Sequence, residues 1–484
     1  MLGFPTKIWS RTGALLAATA LAGCVSVNSA LNSFSDLQPT AEPGFTTQAD
    51  SDAPASDFVA LAFSGGGTRA AAFALGVLEE MKATPFPGEE GVSAFDKVRF
   101  LSGVSGGSVA AAYFGLKGDA AFADFKSAFL LRNGEEYLRT SKVDPVNLLR
   151  AANGGVNSRQ GFGRWLDENL FKGATFGDLY RNEKTTTWIN ASDIYNRTPF
   201  TFEPETFRAL CSDLRKLPLA EAVAASAAVP IVFSPIVLEA YGPRCRYQQP
   251  AWLTTAAHNV EASASLRAYA RALRNYRDPE KMRYVKLLDG AVTDNFGLTG
   301  ISIARARAQT RHAPFTEEEA VALKRMLFIV SNAGRELDGD WATEVAGPGG
   351  LELVSAIADT AMASATREGF DAFNAAMKKW QQDLIAYRCS LKPAEVRKYG
   401  GDPKTWNCRN LKLSVAELRF DQLGDKMEAR LNKVPTRLKL PRDEVDLTIS
   451  AGRQALAQHA VFRTYLRSIE GIARRGKRRV QPDG

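Results

Sequence analysis

Ser105 lies between glycines in Gly103-Val104-Ser105-Gly106-Gly107, directly after a strand-like run at 96–102 (DKVRFLS) and directly before a helix-like one at 108–116 (SVAAAYFGL). A serine at so sharp a strand-to-helix turn is forced into an uncommon backbone conformation, and its crowded flanks require glycine, here Gly103 and Gly107. The hydroxyl then faces a helix N-terminus, where negative charge is favoured. This is the layout of a nucleophile for acyl transfer. A plain Gly/Ser turn has the same bare pattern, so the reading depends on what else the chain supplies.

Two further segments supply it. The apolar run 58–64 (FVALAFS) leads into Gly65-Gly66-Gly67-Thr68-Arg69 and a helical pattern over 70–81. Strand, glycine run and helix make an anion cradle, in which backbone N–H groups converge and Arg69 adds charge or braces the loop. The spacing is not that of a nucleotide-phosphate loop, G-x-x-x-x-G-K-[ST] or G-x-G-x-x-G, so an oxyanion hole fits better. Farther along, Asp289 closes Leu287-Leu288-Asp289-Gly290-Ala291 after a strand-like run. Taken alone, such an Asp-Gly pair is more often a turn former than a base.

The GGGTR loop, the GVSGG turn and the later DGA, in this order, resemble the patatin-like phospholipase family. The segments 188–202 (WINASDIYNRTPFTF) and 222–235 (AVAASAAVPIVFSP) are similar to two further blocks of that family, so the resemblance runs from about Asp57 to Asn332. Ala70 departs from it, standing where the family commonly has glycine. The resemblance implies an α/β fold, a three-layer α/β/α sandwich with a central mixed sheet, here carrying helical insertions and a C-terminal extension. It also implies Ser105 as nucleophile, Asp289 as base, and an oxyanion hole at Gly65, Gly66, Gly67 and Arg69. The substrate class is a phospholipid or other acyl ester, hydrolysed through an acyl-enzyme without a cofactor.

The chemistry sets a condition on Asp289. A free carboxylate with a pKa of about 3.9 is a weak base at neutral pH, so burial must raise it within reach of Ser105. The rival is a Ser-His-Asp esterase, because Ser105, Asp289 and then His312 or His459 follow the order of that class. The chain has only three histidines. His312 ends a run of alternating Arg and Ala, and His459 sits inside an amphipathic helical pattern, so a structural role is expected for each. An acyltransferase using the same Ser105 and Asp289 stays open as well, as does a non-catalytic envelope lipoprotein acting as a binding module. No metal-ligand spacing such as H-E-x-x-H or C-x-x-C is present.

The elements that position these residues occupy only part of the 484 residues. Lys7 and Arg11 precede an apolar stretch at 14–22, too short to span a bilayer, that ends in Leu21-Ala22-Gly23-Cys24. This resembles a bacterial lipoprotein signal, which implies removal of residues 1–23, acylation of Cys24 and a lipid-anchored protein of the cell envelope, at the outer membrane by the analogy of Val25. Residues 24–57 are polar and small and read as a flexible tether, about 30 Å on average for a loose coil of that length. Residues 58–335 are then the catalytic domain and 336–484 a mostly helical extension with a basic tail at 474–479.

Insertions around 142–173 and 247–279 carry helical patterns, and the first is placed to cap the site. An exported chain with four further cysteines favours disulfides; proximity favours Cys211 with Cys245 and Cys389 with Cys408, although three pairings are possible. The net charge of +8 and the basic tail suit anionic lipid surfaces or a merely solvated tail. Nucleic acid is not expected as a partner, since no binding module is present.

Overall fold

The computed structural model describes residues 29–36, 55–138, 157, 161–230, 232–308, 310–335, 340–343, 345 and 347–480, with backbone alone at some helical positions including 471–480. Eight strands form one mixed sheet: β1 (Asp57–Phe63), β2 (Val98–Val104), β3 (Thr186–Asp193), β4 (Thr198–Thr201), β5 (Ile236–Glu239), β6 (Tyr284–Asp289), β7 (Arg325–Ser331) and β8 (Lys412–Leu418). Their order is β5-β6-β3-β2-β1-β7-β8, with β4 paired to β3. The centre, β3-β2-β1-β7-β8, is parallel, whereas β6 runs antiparallel to β3 and to β5.

The helices that matter below are α1 (Gly67–Ala83), α2 (Gly106–Lys117), α3 (Leu219–Ser226), α4 (Ala251–His258), α5 (Ala264–Arg277), α6 (Thr299–Arg307), α7 (Gly350–Ser390), α8 (Arg442–Gln458) and α9 (Ala460–Val480). A fully buried parallel strand must be apolar on both faces, and β1 is. Val59, Leu61 and Phe63 enter one core with α1, α2 and α8; Phe58, Ala60 and Ala62 enter a second with α6 and α7. Helices therefore cover both faces of the sheet, which is the three-layer α/β/α arrangement.

Several elements differ from the sequence expectation at their ends or partners. Strand β2 starts at Val98, because Asp96 lies in a short 3-10 turn where its carboxylate accepts from the Ser93 N–H at 2.9 Å. The C-terminal helical pattern is not continuous: His459 is extended and separates α8 from α9, so it caps a helix instead of lying within one. Of the expected cap at 142–173, residues 139–156 and 158–160 lie outside the described residues, and Phe162, Trp165, Leu166, Leu170 and Phe171 are core residues. In the second insertion Trp252 stacks on Tyr269, with 5.9 Å between ring centroids.

The expected tether also differs in part. Residues 29–36 lie along the edge strand β5: the Leu31 N–H donates to Val237 O at 2.9 Å, and Asn32 exchanges two hydrogen bonds with Glu239. Phe34 packs edge-on against Tyr241 with Arg244 over its ring. An open sheet edge exposes unpaired backbone groups, and this strap covers one. The partners of the strap fall between residues 211 and 246, a loop closed by the Cys211–Cys245 disulfide. Cys389 and Cys408 form the second disulfide. Cys24 lies outside the described residues. Among those described, no helix is long and apolar enough to cross a membrane.

Candidate active site

Ser105 ends β2 with φ 51° and ψ −122°, a positive-φ conformation that side chains rarely adopt. The surrounding structure must hold it there, and the glycines show how. A Cβ on Gly107 would stand 2.5 Å from the carbonyl oxygens of Phe63 and Ser64, and one on Gly103 would stand 2.6 Å from the Ser108 Cα. Gly106 is tighter still, since a Cβ there would overlap the Gly67 carbonyl. The first turn of α2 thus rests directly on the end of β1 and on the glycine loop.

The strained turn is fixed from behind by buried polar groups. Ser226, at the end of α3, accepts the Ser105 N–H at 2.8 Å and donates its own hydroxyl to Asn190 O at 2.5 Å. The Asn190 amide donates in turn to Ser102 Oγ and Gly103 O, at 2.9 and 3.1 Å. Every polar atom named here has a partner, so burial carries no penalty.

Asp289 ends β6, and the Ser105 side chain is near enough to its carboxylate to lower its pKa. Its N–H donates to Ala228 O at 2.9 Å, its O accepts from Ser192 Oγ at 2.8 Å, and its carboxylate accepts from the Ala291 N–H at 2.9 Å. Burial pushes its pKa up to about 6, a rise the Ala291 N–H and the Ser105 hydroxyl only partly offset. That meets the condition set for a general base.

The glycine loop divides its roles. Gly65 is beside the nucleophile, where an added Cβ would sit 3.4 Å from Ser105 Cβ. Its N–H, however, is taken by Asn295, through Oδ1 at 3.1 Å and the backbone O at 3.3 Å. This removes Gly65 from the set of oxyanion donors. Gly66 and Gly67, both at positive φ, have N–H groups without a partner among the described residues. They are the donors available for a developing oxyanion.

Arg69 likewise has a different role from an oxyanion-facing cation. Its guanidinium is buried, donating from Nε to Ala333 O at 3.0 Å and from Nη1 to Val434 O at 2.7 Å, and burial lowers its pKa to about 10. It braces the loop against the segments that follow β7 and precede α8. The Thr68 N–H donates to Arg437 O at 2.8 Å, a second tie to the same C-terminal segment.

None of the histidines has a hydrogen bond or ring contact with Ser105 or Asp289 among the described residues. His312 packs at a tilt against Tyr387, with 4.5 Å between ring centroids, and lies 4.0 Å from Glu317; His459 accepts from the Val461 N–H at 3.3 Å. Sequence reasoning missed Ser226, Asn190 and Asn295. The signal was a lone polar residue inside an apolar run for Ser226, a place inside a strand-like segment for Asn190, and proximity to Asp289 for Asn295.

By comparison with known proteins, residues 61–301 match the family described as Patatin-like phospholipase. No curated protein matches the chain by sequence. Among solved structures, the chain is similar to human GIVD cytosolic phospholipase A2, at 13% identity and a TM-score of 0.37, covering 88% of this chain and 64% of that one. VipD from Legionella pneumophila is similar at 12% identity and a TM-score of 0.33, covering 93% and 73%. The chain therefore spans less than two thirds of the human structure.

Proposed function

The chain belongs, through residues 61–301, to the patatin-like phospholipase family, and on that premise we propose that it is a lipid acyl hydrolase working through a Ser105/Asp289 dyad. The observation that carries the reading is a buried carboxylate, its pKa raised to about 6, beside the side chain of a serine held at positive φ. Asp289 takes the hydroxyl proton as Ser105 Oγ attacks the ester carbonyl. The oxyanion forms against the Gly66 and Gly67 amides. Collapse breaks the bond to the leaving alcohol, which receives the proton from Asp289 and leaves an acyl group on Ser105. Water then attacks that acyl group, again giving its proton to Asp289, and the acid departs as Ser105 recovers its hydrogen.

A fluorescent fluorophosphonate, which modifies activated serines, tests the assignment together with a panel of phospholipid, lysophospholipid and short-chain esters. Labelling of the wild type and loss of both labelling and turnover in Ser105→Ala is the expected result. Absence of labelling in the wild type favours a binding module, and acyl transfer to an added alcohol at the expense of hydrolysis favours a transferase.

We propose also that Cys24 carries the lipid anchor of an envelope protein. Four residues lie between Cys24 and Ser29, a span of at most about 17 Å of extended chain. With residues 29–36 docked on β5, the anchored domain would be held closer to the membrane than a free tether allows. Metabolic labelling with a fatty acid, lost in Cys24→Ser, is the expected result.

A further inference from the structure

Helix α7 is 41 residues long, about 60 Å at the usual rise. Its C-terminal half is a core element. Phe373, Met377, Trp380 and Leu384 recur at helical spacing and are buried, with Phe373 edge-on to Phe328 of β7 and Trp380 stacked on Phe315. The helix runs back along β7 toward the end of the sheet that carries Ser105. Phe370 marks that level, packed on Phe296 of the loop that follows Asp289, with 6.0 Å between ring centroids.

Residues 350–369 continue for about 30 Å beyond this point. The arm has the composition of an interior helix, yet its described side chains are exposed or half-buried. Ten of its twenty residues are Ala, Val, Ile, Leu or Met, four are charged, and none is charged between Asp359 and Arg367. Leu353 is 44% exposed and Ile357 is 60% exposed. A water-facing helix is ordinarily polar there, and an exposed apolar run of this kind marks an interaction surface. Two more exposed valines, Val229 and Val232, flank the site on the loop whose Ala228 carbonyl holds the Asp289 N–H. Exposed apolar side chains thus lie beside the site on the α3 side and farther out along the α7 arm.

We infer that the 350–369 arm of α7, with Val229 and Val232, seats the protein on a neutral phospholipid surface with the Ser105 end of the sheet facing the lipid. The inference rests on the lipid-hydrolase reading for the identity of the partner. The arm has three acidic residues and one basic one, so its attachment is apolar insertion, insensitive to salt. A substrate that leaves the bilayer beside this arm exposes less acyl chain to water on its way to Ser105.

The test uses the full chain carrying Cys24→Ser, so that no acyl anchor contributes, with zwitterionic phosphatidylcholine vesicles at low and high salt. Leu353→Asp with Ile357→Asp is expected to lower the vesicle-bound fraction at least tenfold at both salt concentrations, while turnover of a soluble short-chain ester changes less than twofold. A polarity-sensitive fluorophore on Ile357→Cys is expected to shift to the blue on vesicles, and one on Lys324→Cys, at the opposite end of the sheet, is not. Unchanged vesicle binding in the double variant overturns the proposal. So does light scattering that finds a wild-type dimer made monomeric by the same substitutions without loss of vesicle binding, since the arm is then a self-interface. If vesicle binding follows the arm but no ester is turned over, the surface stands and the hydrolase reading falls.

Discussion

The two halves of the proposed dyad are held by different kinds of packing. Ser105 is held from the face where backbone meets backbone: α2 abuts the glycine loop through Gly106 and Gly107, and α1 crosses α8 where Gly76 and Gly452 leave room for each other's helix. The loop after Asp289 begins in backbone contact, Gly290 against the Asn190 carbonyl, but from the opposite face side chains hold it, with Phe296 on Phe370 and Phe328 on Phe373. Backbone contact leaves almost no freedom, because neither partner can change rotamer. Aromatic packing gives way by small ring movements. Ser105 and the Gly66 and Gly67 amides, which the proposed mechanism needs held to a fraction of an ångström, are on the unyielding face.

The strongest test removes the base altogether. Asp289→Asn is expected to lower kcat/KM by about 10⁴-fold, as loss of a dyad or triad partner does. Wild-type activity is expected to fall about tenfold per pH unit below about 6, because Asp289 acts only as the carboxylate. The same residue should cost stability. Its folded pKa is raised, so the folded state holds the proton more tightly, and stability is lost as pH rises from about 4 through about 6. The gap from the usual carboxylate value corresponds to about 3 kcal/mol. Thermal denaturation at pH 8 is therefore expected to show Asp289→Asn more stable than wild type, with the difference shrinking toward pH 4. Equal stabilities at both pH values would mean the carboxylate is solvated.

The next tests set one face against the other. Gly106→Ala, which drives a methyl group into the Gly67 carbonyl, is expected to lower kcat about 10²-fold by displacing the nucleophile from the oxyanion amides. Phe296→Leu, on the base side, is expected to cost less than tenfold. Away from the site, Gly452→Ala would overlap the Phe73 carbonyl and is expected to destabilise by about 3 kcal/mol. Phe373→Leu should cost about 1 kcal/mol. Urea denaturation of the two variants measures the difference, and similar costs for both would erase the distinction between the faces.

That distinction also explains which parts were legible in the sequence. Glycines forced by a turn stand in fixed spacing to the serine they serve, so 65–67 and 103–107 could be read together. Gly76 and Gly452 serve one crossing from positions 376 residues apart, and no local pattern connects them. The bracing of Arg69 and Thr68 comes from the carbonyls of Val434, Ala333 and Arg437, and a carbonyl has no residue-type signature. Ser226 and Asn190 act through buried hydrogen bonds to backbone, where a short polar side chain in an apolar run or a strand-like segment is the sole trace. The strap at 29–36 has the composition of a loose coil, and its order comes from pairing with an edge strand that only the tertiary fold supplies. Asp289 was legible as a candidate, but its value as a base depends on burial, which the tertiary structure determines.

The smallest expected effect concerns the histidines, one near each face. His312 belongs to the aromatic side, packed against Tyr387, and burial lowers its pKa. His459 ends α8 on the glycine side, and burial lowers its pKa as well. A histidine base would place the acid limb of the pH profile under imidazole control and would need contact with the Ser105 hydroxyl. Here the titratable group that senses the Ser105 side chain is Asp289. The double variant His312→Ala with His459→Ala is accordingly expected to keep kcat/KM within twofold of wild type and to leave the limb near pH 6 in place. A loss of 10³-fold or more in a variant that remains folded by circular dichroism would transfer the role of base from Asp289 to one of these rings. Restoration by one of the single variants would then say which, and with it which face of the sheet supplies the base.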